Sequence, residues 1–379
     1  MKAVIAIDSF KGSLTSIEAG NAAAEGIKRV YPDAETVVMP LADGGEGTCE
    51  ALVSGLGGKY HKVTVTDPIG RKITAEYGIL PDRTAVIEMA AASGITLISD
   101  SERDPMHTTT YGTGEMIRDA IENGCRRFII GIGGSATNDG GIGCLQALGF
   151  DMLNKNGKQV KYGAEGVSEL AEIRTENIIP ELGECEFYVA CDVNNPLCGE
   201  NGCSAVFAPQ KGANEEMIPK MDKYLIHYAE LAKKVNPYAK ADTAGAGAAG
   251  GMGFALMYFL GAKLESGISL VMRETGIENE IRDSDIVITG EGCLDSQTAM
   301  GKAPVGIAQI SKKYGKSVIA FSGIVKDGAQ LCNLHGIDAF FPILRNITSL
   351  AEAMDKENAW KNLADTAEQA FRLIQAAKR

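Results

Sequence analysis

Histidine is scarce in this chain of 379 residues: only His61, His107, His227 and His335 occur, and no H-E-x-x-H places two of them on one helical turn. Helix-borne zinc-protease chemistry is thereby excluded, and the absence of G-x-S-x-G removes the hydrolase nucleophile elbow. The nine cysteines contain no C-x-x-C pair. Cys191, Cys198 and Cys203 lie near one another without a nearby histidine, which reads as packing of reduced thiols rather than a zinc site or a disulfide framework. A Walker A loop is also missing, because Ile310 stands where the first glycine before Gly315-Lys316-Ser317 would be and Ala303 follows Gly301-Lys302. No apolar run approaches the ~18 residues of a spanning helix, and Asp8 interrupts the opening "MKAVIAI" before a leader's apolar core could form. Neither a membrane segment nor a secretory leader is expected, and a cytoplasmic location follows. Positive charge is in deficit as well. With 37 Lys and Arg against 49 Asp and Glu, the net charge of -12 disfavours nucleic acid and anionic membrane as partners.

What the chain does have is glycine, 45 residues of it, with no Gly-X-Y period and only 12 prolines. That excess points to turns and loops, not to collagen or low complexity. The length predicts two domains. At the start, "AVIAI" reads as a buried strand, Thr15 and Glu18 as a capping box for a helix over Ile17 to Val30, and "ETVVMP" as a second strand. This βαβ opening predicts a parallel sheet. "KVTVTDP", "KITAEYGIL" and "TAVIEM" then read as an antiparallel hairpin or meander. "EMIRDAIENG" is expected as a helix closed by Gly124 and followed by the strand "RRFIIGI". "FYVACDV" is a further strand, Glu215 to Lys234 a polar helix and Ala246 to Leu264 a helix of small residues. From Asp285 the βαβ rhythm returns, ending in a helix with Trp360, Leu363, Ala367, Phe371 and Ile374 on one face. The expected fold class is α/β with two α/β domains: a discontinuous Rossmann- or flavodoxin-like domain over 1–65 and 285–379, and a mixed α/β domain inserted over 66–284.

Polar and glycine clusters follow strands repeatedly: "DSFKGS", "ADGGEGT", "GGSATNDGG", "CDVNNPLCGENG" and "GEGCLDSQTAMGK". Ligands of open α/β sheets bind outside the carboxyl ends of strands, so this placement is the main functional signal. "GIGGSA" fits a dinucleotide fingerprint, but "TNDGG" interposes a second turn before any helix; its backbone N–H groups with Ser135 and Thr137 suit a phosphate or small carboxylate instead. The tract Gly245 to Gly253 fits either phosphate binding or close packing through small residues. Asp8, Asp43, Glu46, Asp192, Glu291 and Asp295 all sit in or beside these clusters. Mg²⁺ takes oxygen ligands beside phosphates, and an aspartate can accept a proton from an attacking hydroxyl, so the set suits phosphoryl transfer. Lys11, and Lys211 or Lys302, would neutralise phosphate oxygens. His107, in "MHTTTYGTGE", reads as a turn residue or a contact for a polar substrate.

Seven ordered segments, "DSFKGSLTS", "PLADGGEGT", "YGTGE", "IGGSATNDGG", "CDVNNPLCGENG" with "FAPQKGA", "GAGAAGG" and "ITGEGCLDSQTAMGKAPVGIA", closely resemble the signatures of the bacterial glycerate kinases of the glycerate 2-kinase type. The resemblance implies Mg²⁺-dependent transfer from ATP to D-glycerate, giving 2-phosphoglycerate in most members, with the active site in a cleft between two α/β domains. On this reading Asp192 or Asp295 accepts the hydroxyl proton, and Lys11 joins them as a catalytic residue. Asp43, Glu291 and Asp295 are the metal candidates. Ser9, Gly133, Gly134, Ser135, Thr137, Asn138, Gly245 and Gly247 are the candidates for holding phosphate or the glycerate carboxylate. Transfer to the 3-hydroxyl is the alternative regiochemistry, and an NAD-dependent hydroxy-acid oxidoreductase using "GIGGSA" the alternative of another class.

Overall fold

The computed structural model describes residues 1–42 and 47–378, so the candidates Asp43 and Glu46 lie outside the described residues. In chain order the strands are β1 (Lys2–Ile7), β2 (Glu35–Val38), β3 (Lys59–Thr66), β4 (Lys72–Ile79), β5 (Thr84–Glu88), β6 (Arg127–Gly131), β7 (Asp151–Asn154), β8 (Leu170–Arg174), β9 (Glu186–Ala190), β10 (Lys263–Glu265), β11 (Ile286–Leu294), β12 (Ser317–Val325) and β13 (Ala339–Pro342). Two compact units result. One gathers Met1–Asp43, Glu50–Leu56 and Ile268–Arg379; the other gathers Gly44–Cys49 and Gly57–Gly267. β3 falls in the second unit because it pairs along its whole length with β4, from Lys59↔Ile79 to Thr66↔Lys72. Ile268, Ile277 and Ile281 fall in the first because they pack against Val4, Val287 and Val318 of its sheet.

The first unit holds a five-stranded sheet in the order β13-β12-β11-β1-β2, with every pairing parallel. Counted within the unit, this is the flavodoxin-like order 2-1-3-4-5. β1 is buried on both faces, as the unbroken apolar run "AVIAI" requires, whereas β2 and β13 are four residues each and half-exposed, as edge strands should be. Alternate residues of the sheet enter separate cores. Ala3, Ile5 and Ile7 meet the helix Ser16–Val30 and the C-terminal helix Lys356–Ala377 through Ala19, Ala23, Ile27, Leu363, Ala367 and Phe371. Val4 and Ala6 face Val305, Ile307 and Ala308 of the helix Ala303–Lys313 on the opposite side. The capping box forms: Thr15 Oγ1 accepts the Glu18 N–H, and a Glu18 carboxylate oxygen accepts the Thr15 N–H. Ser16, one residue on, donates to the Ile7 carbonyl and accepts the Leu41 N–H, tying the end of β1 to its helix.

The second unit carries a mixed sheet, β10-β9-β6-β5-β4-β3. β3, β4 and β5 form the antiparallel meander, and β5, β6, β9 and β10 run parallel, with Glu88, Gly131, Ala190 and Glu265 aligned across their C-terminal ends. β7 and β8 pair separately. The helix Tyr111–Glu122 ends as its sequence demands: Gly124, at φ +84°, donates to the Ile121 carbonyl and Cys125 to the Ala120 carbonyl, a Schellman closure. The expected helix from Ala246 to Leu264 is shorter. It spans Ala248–Phe259, Ala249, Gly250 and Gly251 have left-handed backbone angles, and Lys263–Glu265 is strand β10. The reason lies in the partner of this tract. Gly140 donates to the Gly250 carbonyl, and a Cβ on Gly250 would meet the Thr137 carbonyl oxygen at 2.0 Å, so the backbone leaves the helical path to pack against the first glycine run. Among the described residues no helix is long and apolar enough to cross a membrane, and all nine cysteines are free thiols.

Candidate active site

In the first unit, the connections leaving β1 and β11 travel to opposite faces of the sheet, which opens a crevice between their C-terminal ends. Asp8 extends β1 by one residue through its N–H to the Gly290 carbonyl, and its carboxylate accepts the Ser9 N–H at 2.7 Å. The tight turn Phe10 to Leu14 then sets Lys11 at an exposed position. From β11, Glu291 is buried and accepts a hydrogen bond from the Thr298 hydroxyl. Asp295, just past the strand, folds the following turn onto itself: Oδ1 accepts the N–H groups of Gln297 at 2.9 Å and Thr298 at 3.2 Å. Its Oδ2 takes no hydrogen bond among the described residues.

These groups line a cavity of about 630 Å³. Its polar wall holds Asp8, Ser9, Lys11, Glu291, Asp295, Lys302 and Lys326, and Phe10, Ile324, Ile343, Leu344, Leu350 and Met354 supply an apolar one. None of the three lysines is ion-paired among the described residues, so their ammonium groups are available to a ligand anion. The mix of a large apolar lining with a few convergent charges is that of a small-molecule site. Ser9, Lys11, Glu291 and Asp295 of the sequence-derived set therefore meet in one place. Lys326 and the apolar residues after β13 carry no motif and were not among the expected site residues.

In the second unit the candidates gather at the aligned C-terminal ends of β5, β6 and β9. After Gly131 the chain makes a loop in which Gly133 and Gly134 are exposed, and then turns inward. The helix that follows, Ile142–Ala147, starts only after the left-handed pair Gly140 and Gly141, so the glycines of "GIGGSA" do not open a helix as a dinucleotide fingerprint requires. The loop is braced from several sides. Ile95 donates to the Gly134 carbonyl, Ala136 to the Ser93 carbonyl and the Thr108 hydroxyl to the Ala136 carbonyl. Asp139 is fully buried and accepts from the Thr110 N–H and hydroxyl and from the N–H groups of Gly141 and Gly143; burial raises its pKa against those bonds. The threonines of "MHTTTYGTGE" are thus loop supports, while His107 itself is exposed and paired with Asp104 at 2.7 Å.

Thr137 and Asn138, expected as ligand contacts, are wholly buried, and the Asn138 amide donates to Ser204 Oγ at 2.9 Å. Both side chains lie beneath the loop, leaving Gly133, Gly134 and Ser135 at its edge. Gly245 and Gly247 back onto the loop after β9: Gly247 donates to the Asn195 carbonyl, and a Cβ there would meet the Pro196 carbonyl at 2.1 Å. Asp192, on that same loop, is exposed and accepts the Gly267 N–H at 3.1 Å. One acidic residue was missed. Glu88, the last residue of β5, accepts the N–H groups of Gly47 at 3.1 Å and Cys49 at 2.8 Å and so holds the chain just after the undescribed Asp43 to Glu46. Its only sequence signal was a charge ending an otherwise apolar strand.

A family model described as the glycerate kinase family matches residues 3–375. The chain belongs to that family. It is 49% identical over 354 residues, 93% of each chain, to the glycerate 2-kinase of Escherichia coli K12, and 45% identical over 99% of each chain to a glycerate kinase of Haemophilus influenzae. A crystal structure from Salmonella typhimurium LT2, whose protein carries glycerate kinase 2 as an assigned name, superposes with a TM-score of 0.93 at 45% identity, covering 100% of this chain and 99% of that one.

Proposed function

We propose that the protein transfers the γ-phosphoryl group of ATP to the 2-hydroxyl of D-glycerate, yielding ADP and 2-phosphoglycerate, with Mg²⁺. The observation that carries the reading is the cavity at the end of β1 and β11 in a member of this family: Lys11, Lys302 and Lys326, which make no ion pair among the described residues, beside Asp8, Glu291 and Asp295. Phosphoryl transfer depends on positioning and charge neutralisation far more than on covalent chemistry, and this wall supplies both. Transfer to the 2-hydroxyl is favoured by the 49% identity to the relative named glycerate 2-kinase.

Mg²⁺ is held in kinase sites by one or two carboxylates together with substrate phosphates. Glu291 and Asp295 offer hard oxygen donors of that kind, with Asp295 Oδ2 unengaged among the described residues, so the residues present fit the ion; Asp43 is the further candidate. When bound, the ion neutralises charge on the transferring phosphate. Lys11, Lys302 and Lys326 provide cationic contacts for phosphate oxygens, and the apolar wall of Ile324, Ile343 and Leu350 suits the flat face of a nucleobase. Asp192 or Asp295 takes the proton from the glycerate hydroxyl as it attacks. The cytoplasmic location read from the sequence accords with this reaction.

Incubation with D-glycerate and MgATP, followed by phosphorus NMR, tests the proposal. A single phosphomonoester matching 2-phosphoglycerate is expected. The 3-phospho isomer would overturn the regiochemistry, and no phosphoglycerate would overturn the function.

A further inference from the structure

Lys211 occupies a position in which an ammonium group is intrinsically unfavourable. It closes the short turn Pro209–Lys211, is 2% exposed, and donates to Ser135 Oγ at 2.6 Å and to the Thr137 carbonyl at 2.7 Å. These two acceptors replace water around the buried charge. It therefore does not present its charge to a phosphate, as the sequence had suggested it might alongside Lys11 and Lys302. Its bond to Ser135 has a consequence for the hydroxyl. A serine hydroxyl carries one proton, and when Oγ accepts from an ammonium that proton must be directed elsewhere. No acceptor for it occurs among the described residues. Ser135 lies at the loop edge, 8% exposed, next to Gly133 and Gly134, whose N–H groups donate no hydrogen bond among the described residues.

We propose that Lys211 is a positioning residue: by donating to Ser135 Oγ from inside the unit, it turns the Ser135 hydroxyl outward. With the Gly133 and Gly134 N–H groups, that hydroxyl forms a fixed set of donors for one oxyanion. The oxyanion is either the carboxylate of the acceptor substrate or a phosphate of the nucleotide. Donors pre-set in this way need no reorganisation when charge arrives. Lys211 faces Cys203 and Asp139 inside the unit. Burial lowers its ammonium to about 8, with Cys203 and Asp139 opposing that shift. Burial raises Asp139 as well, against its four donors, and pushes the Cys203 thiol up to about 12. Arg103, whose backbone packs on Gly212, turns its guanidinium to Asp100.

The inference rests on the kinase reading only for the identity of the oxyanion. Steady-state kinetics of Ser135→Ala, Lys211→Met and the double variant, varying D-glycerate and MgATP separately, provide the test. Each single change is expected to raise KM for one substrate by about tenfold or more, the loss of a hydrogen bond to a charged group. The double variant should be no worse than the poorer single within about twofold, because the two residues act through one contact. The substrate whose KM moves identifies the oxyanion. In the unaltered protein the same KM should rise as pH passes about 8, and Ser135→Ala should lack that step. Additive losses in the double variant, or a pH step that survives in Ser135→Ala, overturn the proposal. If Lys211→Met does not fold, Ser135→Ala and the pH profile decide alone. If the unaltered protein makes no phosphoglycerate, the function fails separately, and amide exchange reads the bracing. Exchange at residues 133–136 accelerated by about tenfold in Lys211→Met supports it, and unchanged exchange overturns it.

Discussion

Asp192 and Asp295 differ in what their carboxylates already do. Asp295 gives one oxygen to the turn that follows it and has the other unengaged among the described residues, whereas Asp192 stands exposed on a loop and accepts the Gly267 N–H. Both came from the same sequence signal, an acidic residue just past a strand, which does not distinguish a turn-closing carboxylate from a proton acceptor. Substituting each by Asn separates the roles. The general base should lose kcat by about a hundredfold or more, and if neither variant does so the assignment of the base to this pair is wrong. Lys211 shows the limit of reading at this scale. In sequence it was the alternative to Lys302 for neutralising phosphate oxygens, since nothing in "FAPQKGA" reveals that its side chain ends at Ser135, 76 residues away.

At the scale of elements, local signals translated well wherever the determinant is local. The capping box at Thr15, the closure at Gly124 and the apolar face of the C-terminal helix all lie where neighbouring residues placed them, because hydrogen bonds three or four residues apart decide them. The tract Gly245 to Gly253 did not translate, because its backbone is set by a second, distant glycine run. The number of glycines in "GIGGSATNDGGIG" has the same origin. Gly133 and Gly134 form the exposed edge, while Gly140 and Gly141 are packed against Tyr228, Ala255 and Met252, where side chains would collide. Gly250→Ala should therefore destabilise the protein by about 2 kcal/mol or more, through a strained left-handed angle and a clash with a carbonyl. A lower urea midpoint with an unchanged slope is the expected result, and an unchanged midpoint would contradict the packing described.

For the whole molecule, a kinase with lysines and acidic residues around one cavity should depend on its divalent ion for charge balance at the phosphates. EDTA should abolish ADP formation with MgATP-saturated enzyme, and excess Mg²⁺ should restore it. Activity that persists in EDTA would remove Glu291 and Asp295 from the role proposed. In a chain of net charge -12, three lysines that make no ion pair among the described residues and gather at one cavity, beside three carboxylates, are the more specific signal for an anionic ligand.

By itself the sequence determined the α/β class and the family, because strand and helix periods, caps and ordered motifs are written in neighbouring residues. Only the tertiary structure decided the strand order 2-1-3-4-5, with the crevice it opens between Asp8 and Glu291. It also decided which glycines face solvent and which face other backbone, and which lysine is buried beneath the loop. Those are contacts between segments far apart in the chain, and their geometry is set by how sheets and helices bury their apolar faces together.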